Sequence, residues 1–469
     1  MKNNAATVDL TQGKIFSSLL KLSLPIAGVQ VMHMAYNITD MFWLGRVSSD
    51  ALAASGAAGL FLWLSVGLMI IGRVGAEVGV AQSRGKGDEA AAYRYSRTAF
   101  YISAMLGLLY AFILILFQTP LIGFFNFQEA HVAADAATYV SIMALGIPAV
   151  FMSSSIDGAF VASGNSRTPF LIGSAGLIFN MILTPIFIFP LGLGVFGAAA
   201  SSIIAQYTVF AVRIIAIKRF KSRPFDTYQF AVTLNFSAII DDLRTGTSRD
   251  IFKLTIPICL EQTLFPLLTM VTTRFEVSFG AFALTMSRVG SQIESLSWLV
   301  GAGFGAALTA FVGQNFGAGK MDRIAKGVKY TACSLGFWGI FVTAVMWFGG
   351  DIIFTVFIPE YAPDPEMRRI FITYLRILSA CQLLANLEFA ATNALRGKGK
   401  TIPPSVISIT SNVIRVPLAF GLSLTPLGLL GIWTAVSITA GLRGAAVCLW
   451  YMWDTRQEKK RMISNPIAK

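Results

Sequence analysis

Charge is scarce in this sequence. Only 13% of its 469 residues are Asp, Glu, Lys or Arg, about half the share found in soluble globular proteins, so a water-exposed surface of ordinary extent cannot be built from it. Histidine and cysteine are rarer still. His33 and His131 are the only histidines, and Cys259, Cys333, Cys381 and Cys448 fall inside apolar runs without metal-ligand spacing. That excludes a zinc site, a His-based hydrolytic centre and a disulfide framework. Neither H-E-x-x-H nor G-x-S-x-G occurs, so a membrane-embedded hydrolase would lack both metal and nucleophile. The chain reads as a non-enzyme without a cofactor.

Apolar residues fill the space that charge leaves. Hydrophobic residues make up 55% of the chain and the mean hydropathy is +0.66, values of an integral membrane protein. Runs of about 20 apolar residues, enough to cross the hydrocarbon core as helix, lie near 20–43, 52–80, 98–118, 136–160, 168–189 and 195–217. Six more lie near 254–279, 282–312, 330–350, 370–394, 402–423 and 428–453. The expected fold is therefore all-α, with twelve transmembrane helices. Residues 1–14 are polar and the first run is long enough to span, so no cleavable signal peptide is expected.

The halves repeat one another. Leu22-Ser23-Leu24-Pro25-Ile26 returns as Leu254-Thr255-Ile256-Pro257-Ile258, and Ala81-Gln82 through Gly87 returns as Gly313-Gln314 through Gly319. Asn180 and Pro185 return as Asn412 and Pro417, all in one register. An even number of spans per copy puts the start and end of each copy on one side, which makes these parallel repeats about an axis along the membrane normal. The domains expected are a six-helix lobe at 1–217, a charged linker at 218–250 and a second six-helix lobe at 251–469.

Lys and Arg crowd one set of loops, from Arg84, Lys86 and Arg167 through the linker to Lys320, Arg323, Arg396, Lys398 and Lys400. The opposite loops hold Arg46, Arg368 and Arg369. The positive-inside bias puts both termini and the linker in the cytoplasm. The same bias, with anionic inner-leaflet lipid as partner, accounts for the net charge of +13 without nucleic acid.

Two motifs imitate nucleotide chemistry. Gly192-Leu193-Gly194-Val195-Phe196-Gly197 has the dinucleotide spacing but joins two spans, where no βαβ unit precedes it. Ala394-Leu395-Arg396-Gly397-Lys398-Gly399-Lys400-Thr401 falls one glycine short of a phosphate loop, and its repeat copy at Ser163-Gly164-Asn165-Ser166-Arg167-Thr168 lacks the lysine. A tight basic turn explains both copies of this second motif, so transport by this chain would draw on an ion gradient or be passive.

Ionisable groups inside spans cost about 2.5–3.5 kcal/mol each on insertion scales and default to functional hypotheses. On span 1, His33, Tyr36, Asn37 and Asp40 share one face. Tyr36 and Asn37 can reach the Asp40 carboxylate from one turn back, and apolar surroundings suit it to proton exchange. The alternative is that Asp40, roughly 9 Å of helix from Arg46, is merely solvated near the outer end. Pro25 either kinks span 1 as a hinge or starts its helix. Asn180 and Thr184 on span 5, with Ser201, Ser202 and Gln206 on span 6, offer either oxygen ligands or helix-packing contacts. In the second half Glu261, Glu294 and Arg415 are candidates for a second ion site or a structural charge clasp. Arg73 and Glu77, at i and i+4 on span 2, are expected to pair locally.

These segments together resemble the multidrug and toxic compound extrusion (MATE) family, most closely its DinF branch. The resemblance rests on Leu22–Ile26 with Tyr36 and Asp40, the Val80-Ala81-Gln82 turn, Ser163–Pro169, Asn180 with Thr184-Pro185, and Val312–Gly319. It implies two six-helix bundles around a central cavity in a prokaryotic inner membrane. It also implies a monomer that exports organic, often cationic or lipophilic compounds in exchange for H+ or Na+ by alternating access. Asp40 would be the coupling carboxylate, helix 1 would bend at Pro25, and Tyr36, Asn180 and Ser201 or Ser202 would complete the network, with Na+ as a possible occupant at Asp40 and Asn180. One departure stands out, since the position of Thr184 is often Asp in that branch. A lost carboxylate weakens a site for a hard cation and favours proton coupling. The alternative within transport is a flippase for a lipid-linked precursor, although such relatives often have fourteen spans.

Overall fold

The computed structural model describes residues 8–125, 127, 129–219, 244, 246–358 and 364–464. Most of the linker expected at 218–250 lies outside them. Among the described residues there is no strand, and twelve helices are long and apolar enough to cross a membrane. In chain order the helices are α1 (Ile15–Val47), α2 (Ser49–Gly85), α3 (Glu89–Leu116), α4 (Gln118–Gly123), α5 (Ala130–Ala162), α6 (Arg167–Ile188) and α7 (Gly194–Arg219). They continue as α8 (Thr247–Val277), α9 (Ala281–Gly317), α10 (Met321–Phe348), α11 (Gly350–Phe357), α12 (Pro365–Gly397), α13 (Ile402–Ser423) and α14 (Leu429–Ser464).

The short helices α4 and α11 were not legible as separate elements. Pro120 has no N–H to give the Leu116 carbonyl, so the ladder of α3 stops and a new turn begins at Gln118. Elsewhere the ends are capped as their sequences suggest. Ser48 accepts from the Ala51 N–H, Asp88 from Ala91, and Asp364 from Glu366 and Met367 ahead of Pro365.

The chain forms two compact units, Met1–Leu260 with Gly313–Met321, and Glu261–Val312 with Asp322–Lys469. In the first, α5 is the central post, packed by α2, α3 and α7. It is mostly apolar and largely buried, as an interior helix is, and rich in Ala, Ser and Gly. With no water to drive apolar faces together inside a bilayer, close backbone approach carries the association. Gly158 of α5 shows it, because a Cβ there would lie 2.3 Å from the Arg73 carbonyl of α2. In the second unit α12, α13 and α14 pack around Phe354, Phe371, Tyr374 and Trp433. The Tyr374 and Trp433 rings lie 4.1 Å apart, and Trp433 donates to Ser287 Oγ at 2.9 Å.

Both nucleotide-like motifs are turns. Gly192 and Gly194, with φ of 64° and 50°, carry the chain from α6 to α7 without a strand. At the other, Gly399 sits at φ 80°, and both lysines are spent on ion pairs with α14. Lys398 binds Glu458 at 2.6 Å and Lys400 binds Glu458 at 2.7 Å, with Asp454 between them.

The repeated glycine turns meet within the first unit. A Cβ on Gly85 would fall 2.0 Å from the Gln314 carbonyl oxygen, and one on Gly317 would fall 2.1 Å from that of Gln82. The two ends are reciprocal copies in reciprocal contact. Gln314 further donates to the Ala162 carbonyl at 2.6 Å and Asn315 to that of Leu10 at 2.9 Å, fixing the segment before α1. Gly85→Ala and Gly317→Ala should each lower the melting temperature of the purified protein, at a cost on the order of 1–3 kcal/mol. Gly45→Ala, whose Cβ meets nothing within 4 Å, should leave it unchanged.

Candidate functional site

Helices α1, α2, α5, α6 and α7 of the first unit enclose a cavity of about 320 Å³. Tyr36, Asn180 and Ser202 line it and are joined to one another. The Tyr36 hydroxyl lies 3.2 Å from Ser202 Oγ, and Asn180 Nδ2 donates to the same oxygen at 3.2 Å. One turn along α6, Thr184 Oγ1 donates to the Asn180 carbonyl at 2.9 Å and lies 3.0 Å from Ser201 Oγ. Asn180, Thr184, Ser201 and Ser202 are each at most 3% exposed. The structure thus gathers the polar residues of spans 1, 5 and 6 into one network. The Asn37 side chain lies outside the described residues.

Asp40 differs from the network beside it. Its Oδ1 is buried without a hydrogen-bond partner. The expected bond from Tyr36 goes to Ser202 instead. Helical side chains lean toward the helix N-terminus, which carries the Tyr36 hydroxyl away from residue 40 and toward α7. Pro25 lies inside α1, not at its start, which removes the reading of a helix-initiating proline.

Three charged residues complete the cavity wall. Asp157 of α5 and Arg213 of α7 form a two-pronged ion pair, Nε to Oδ1 and Nη2 to Oδ2, both at 2.8 Å. The sequence signal for them is a lone charge in each of spans 4 and 6. Arg73 of α2 lines the cavity with His33, and among the described residues it makes no ion pair, in place of the one expected with Glu77.

In the second unit the three candidate charges have separate partners. Glu261 Oε2 accepts from Arg396 at 3.3 Å and from Ser405 at 2.8 Å. Glu294 accepts from Gln382 at 3.4 Å, and Arg415 donates to Thr439 Oγ1 at 2.9 Å. A further pair, Arg443 with Glu388 at 2.9 Å, was not foreseen. The clasp is therefore helix to helix, α8 to α12 and α12 to α14, and does not join the three candidates to one another.

The MatE family profile matches residues 25–186 and 257–420, two stretches that begin at the equivalent prolines of the repeat. The chain belongs to the MATE family. Its members are transporters and not enzymes. The probable multidrug resistance protein NorM of Thermotoga maritima is 23% identical over 462 residues, covering 97% of this chain and 96% of its own. The protein of that name from Rhizobium meliloti is 27% identical over 477 positions, covering 97% and 96%. The crystal structure of a mutant of the Vibrio cholerae MATE transporter VcmN shares the fold at a TM-score of 0.82, with 20% identity over 94% of this chain and 97% of that one.

Removing one partner of a buried ion pair strands the other charge, a loss on the order of 3–5 kcal/mol. Glu261→Ala should therefore lower the thermal stability of this MATE protein in detergent, and adding Arg396→Ala should recover part of the loss.

Proposed function

We propose that this MATE protein is a secondary active exporter of small organic compounds, driven by proton entry through Asp40, with alternating access between the two membrane faces. Export of organic compounds is carried over from the multidrug relatives. The observation that carries the coupling is the buried, donor-free Asp40 Oδ1. An ionised carboxylate oxygen without donor or counter-ion is costly away from water, and taking up a proton removes that cost.

Sodium fits the same place less well. A hard cation seeks several oxygens, preferably anionic, whereas Ser202 Oγ and Asn180 Oδ1 are engaged within the network and Thr184 supplies no second carboxylate. Pro25 serves as the hinge of α1, since the missing N–H leaves that turn one bond short. The Lys- and Arg-rich turns face the cytoplasm by the positive-inside bias, which puts both termini there.

Efflux of a fluorescent organic compound from everted vesicles, with ΔpH and ΔNa+ imposed separately, tests this reading. Wild type should respond to ΔpH, and Asp40→Asn should lose that response by about 100-fold, as expected when an essential proton carrier is removed. Normal ΔpH-driven efflux in Asp40→Asn would refute Asp40 as the coupling group. Efflux driven by ΔNa+ alone would refute proton coupling, and no gradient-driven efflux at all would turn the assignment toward a lipid-precursor flippase.

A further inference from the structure

The charges on the cavity wall do not cancel. Arg213 is neutralised by Asp157 through two bonds of 2.8 Å, with side chains 9% and 18% exposed. Asp157 is the only carboxylate among the lining residues, and Arg73 lines the same cavity with no ion pair among the described residues. One full positive charge is left over, and His33 adds no negative charge to balance it.

Neutral polar groups without a partner line the same cavity, among them Gln206, whose Oε1 is an unmet acceptor, and three serines. Ser153, Ser154 and Ser166 line the cavity, are at most 6% exposed, and each has a buried hydroxyl oxygen without a partner. Buried hydroxyls are ordinarily satisfied. These three unpartnered hydroxyls lie in the wall with a surplus guanidinium, and each can donate to a bound anion. The rest of the wall is largely apolar, with Ile26, Val29, Met69, Val150, Leu177 and Val209.

From this we infer that the cavity binds an amphiphilic organic anion, with a carboxylate, sulfonate or phosphate group on Arg73 and the serine hydroxyls and its apolar body against the aliphatic wall. A guanidinium matches such oxyanions in two-pronged geometry, and the volume falls within the range of small-molecule sites. A lipophilic cation would meet a like charge in a medium that screens poorly, so the cavity discriminates against the cationic compounds that the family resemblance led us to expect. The inference rests on the export reading only in naming the bound anion a substrate.

Binding can be measured without any gradient, which separates this test from that of Asp40. The full-length protein in phosphatidylcholine nanodiscs is titrated calorimetrically with 1-anilinonaphthalene-8-sulfonate and with ethidium, using empty discs as the blank. Arg73→Gln should weaken sulfonate binding by at least about tenfold, the scale of one charge-assisted contact, and tighten ethidium binding by removing the like charge, while Arg73→Lys restores most of the sulfonate affinity. Asp157→Asn frees Arg213 and should tighten sulfonate binding, a gain that misfolding cannot produce. Adding phosphatidylglycerol to the discs distinguishes the source. Competition in wild type beyond that in Arg73→Gln assigns a lipid headgroup, and equal effects assign a soluble anion. Sulfonate binding unchanged in Arg73→Gln, or weakened in Asp157→Asn, would overturn the proposal.

Discussion

Water is absent from the hydrocarbon core, and each polar group placed there needs a partner within the protein or from a ligand. Most of the polar interior of this MATE protein obeys that constraint locally. Thr184, Asn180, Ser201, Ser202 and Tyr36 satisfy one another across three helices. Glu261 and Glu388 are held by arginines of neighbouring helices. Unpartnered buried groups occur in both units, Thr331 and Asn412 in the second among them, and those in the first include Asp40 and the cavity serines, with Arg73 making no ion pair among the described residues. In the proposed function, a carboxylate that takes up a proton and a guanidinium that takes up an anion would be the two ends of one transport cycle.

Tyr36, Asn180 and Ser202 belong to both ends. They line the cavity and form the network beside Asp40. A ligand that drew the Tyr36 hydroxyl or the Asn180 amide into the cavity would take a donor from Ser202 and alter the surroundings of the carboxylate. Such a shared hydrogen-bond network is a physical route for coupling. Pro25 lies on the same helix as Tyr36 and Asp40, so a change in α1 would move all three together.

The spans, the repeat and the polar stripe of α1 were legible because apolar length and periodicity are local properties of the sequence. Asn180, Thr184 and the α7 serines Ser201 and Ser202 could be picked out as polar residues in apolar runs, but their mutual geometry could not. The helical lean that sends the Tyr36 hydroxyl to Ser202 rather than Asp40 appears only once α7 is in place. Asp157 and Arg213 were missed for a related reason. Each looks like a solitary charge until α5 and α7 are packed, and Arg73 looked like half of an i, i+4 pair until α2 was seen to turn it into the cavity. The near phosphate loop at 394–401 misled in the opposite direction, since its lysines answer to Asp454 and Glu458 far along the chain.

The proposed coupling depends most on Asp40 carrying an exchangeable proton. Infrared difference spectroscopy of the purified protein, recorded across a pH step, reads the carbonyl stretch of a protonated carboxyl group directly. Proton coupling through Asp40 predicts such a band in wild type, its loss in Asp40→Asn, and no displacement of it by Na+. A band that persists in Asp40→Asn, or one that Na+ removes at constant pH, would contradict it.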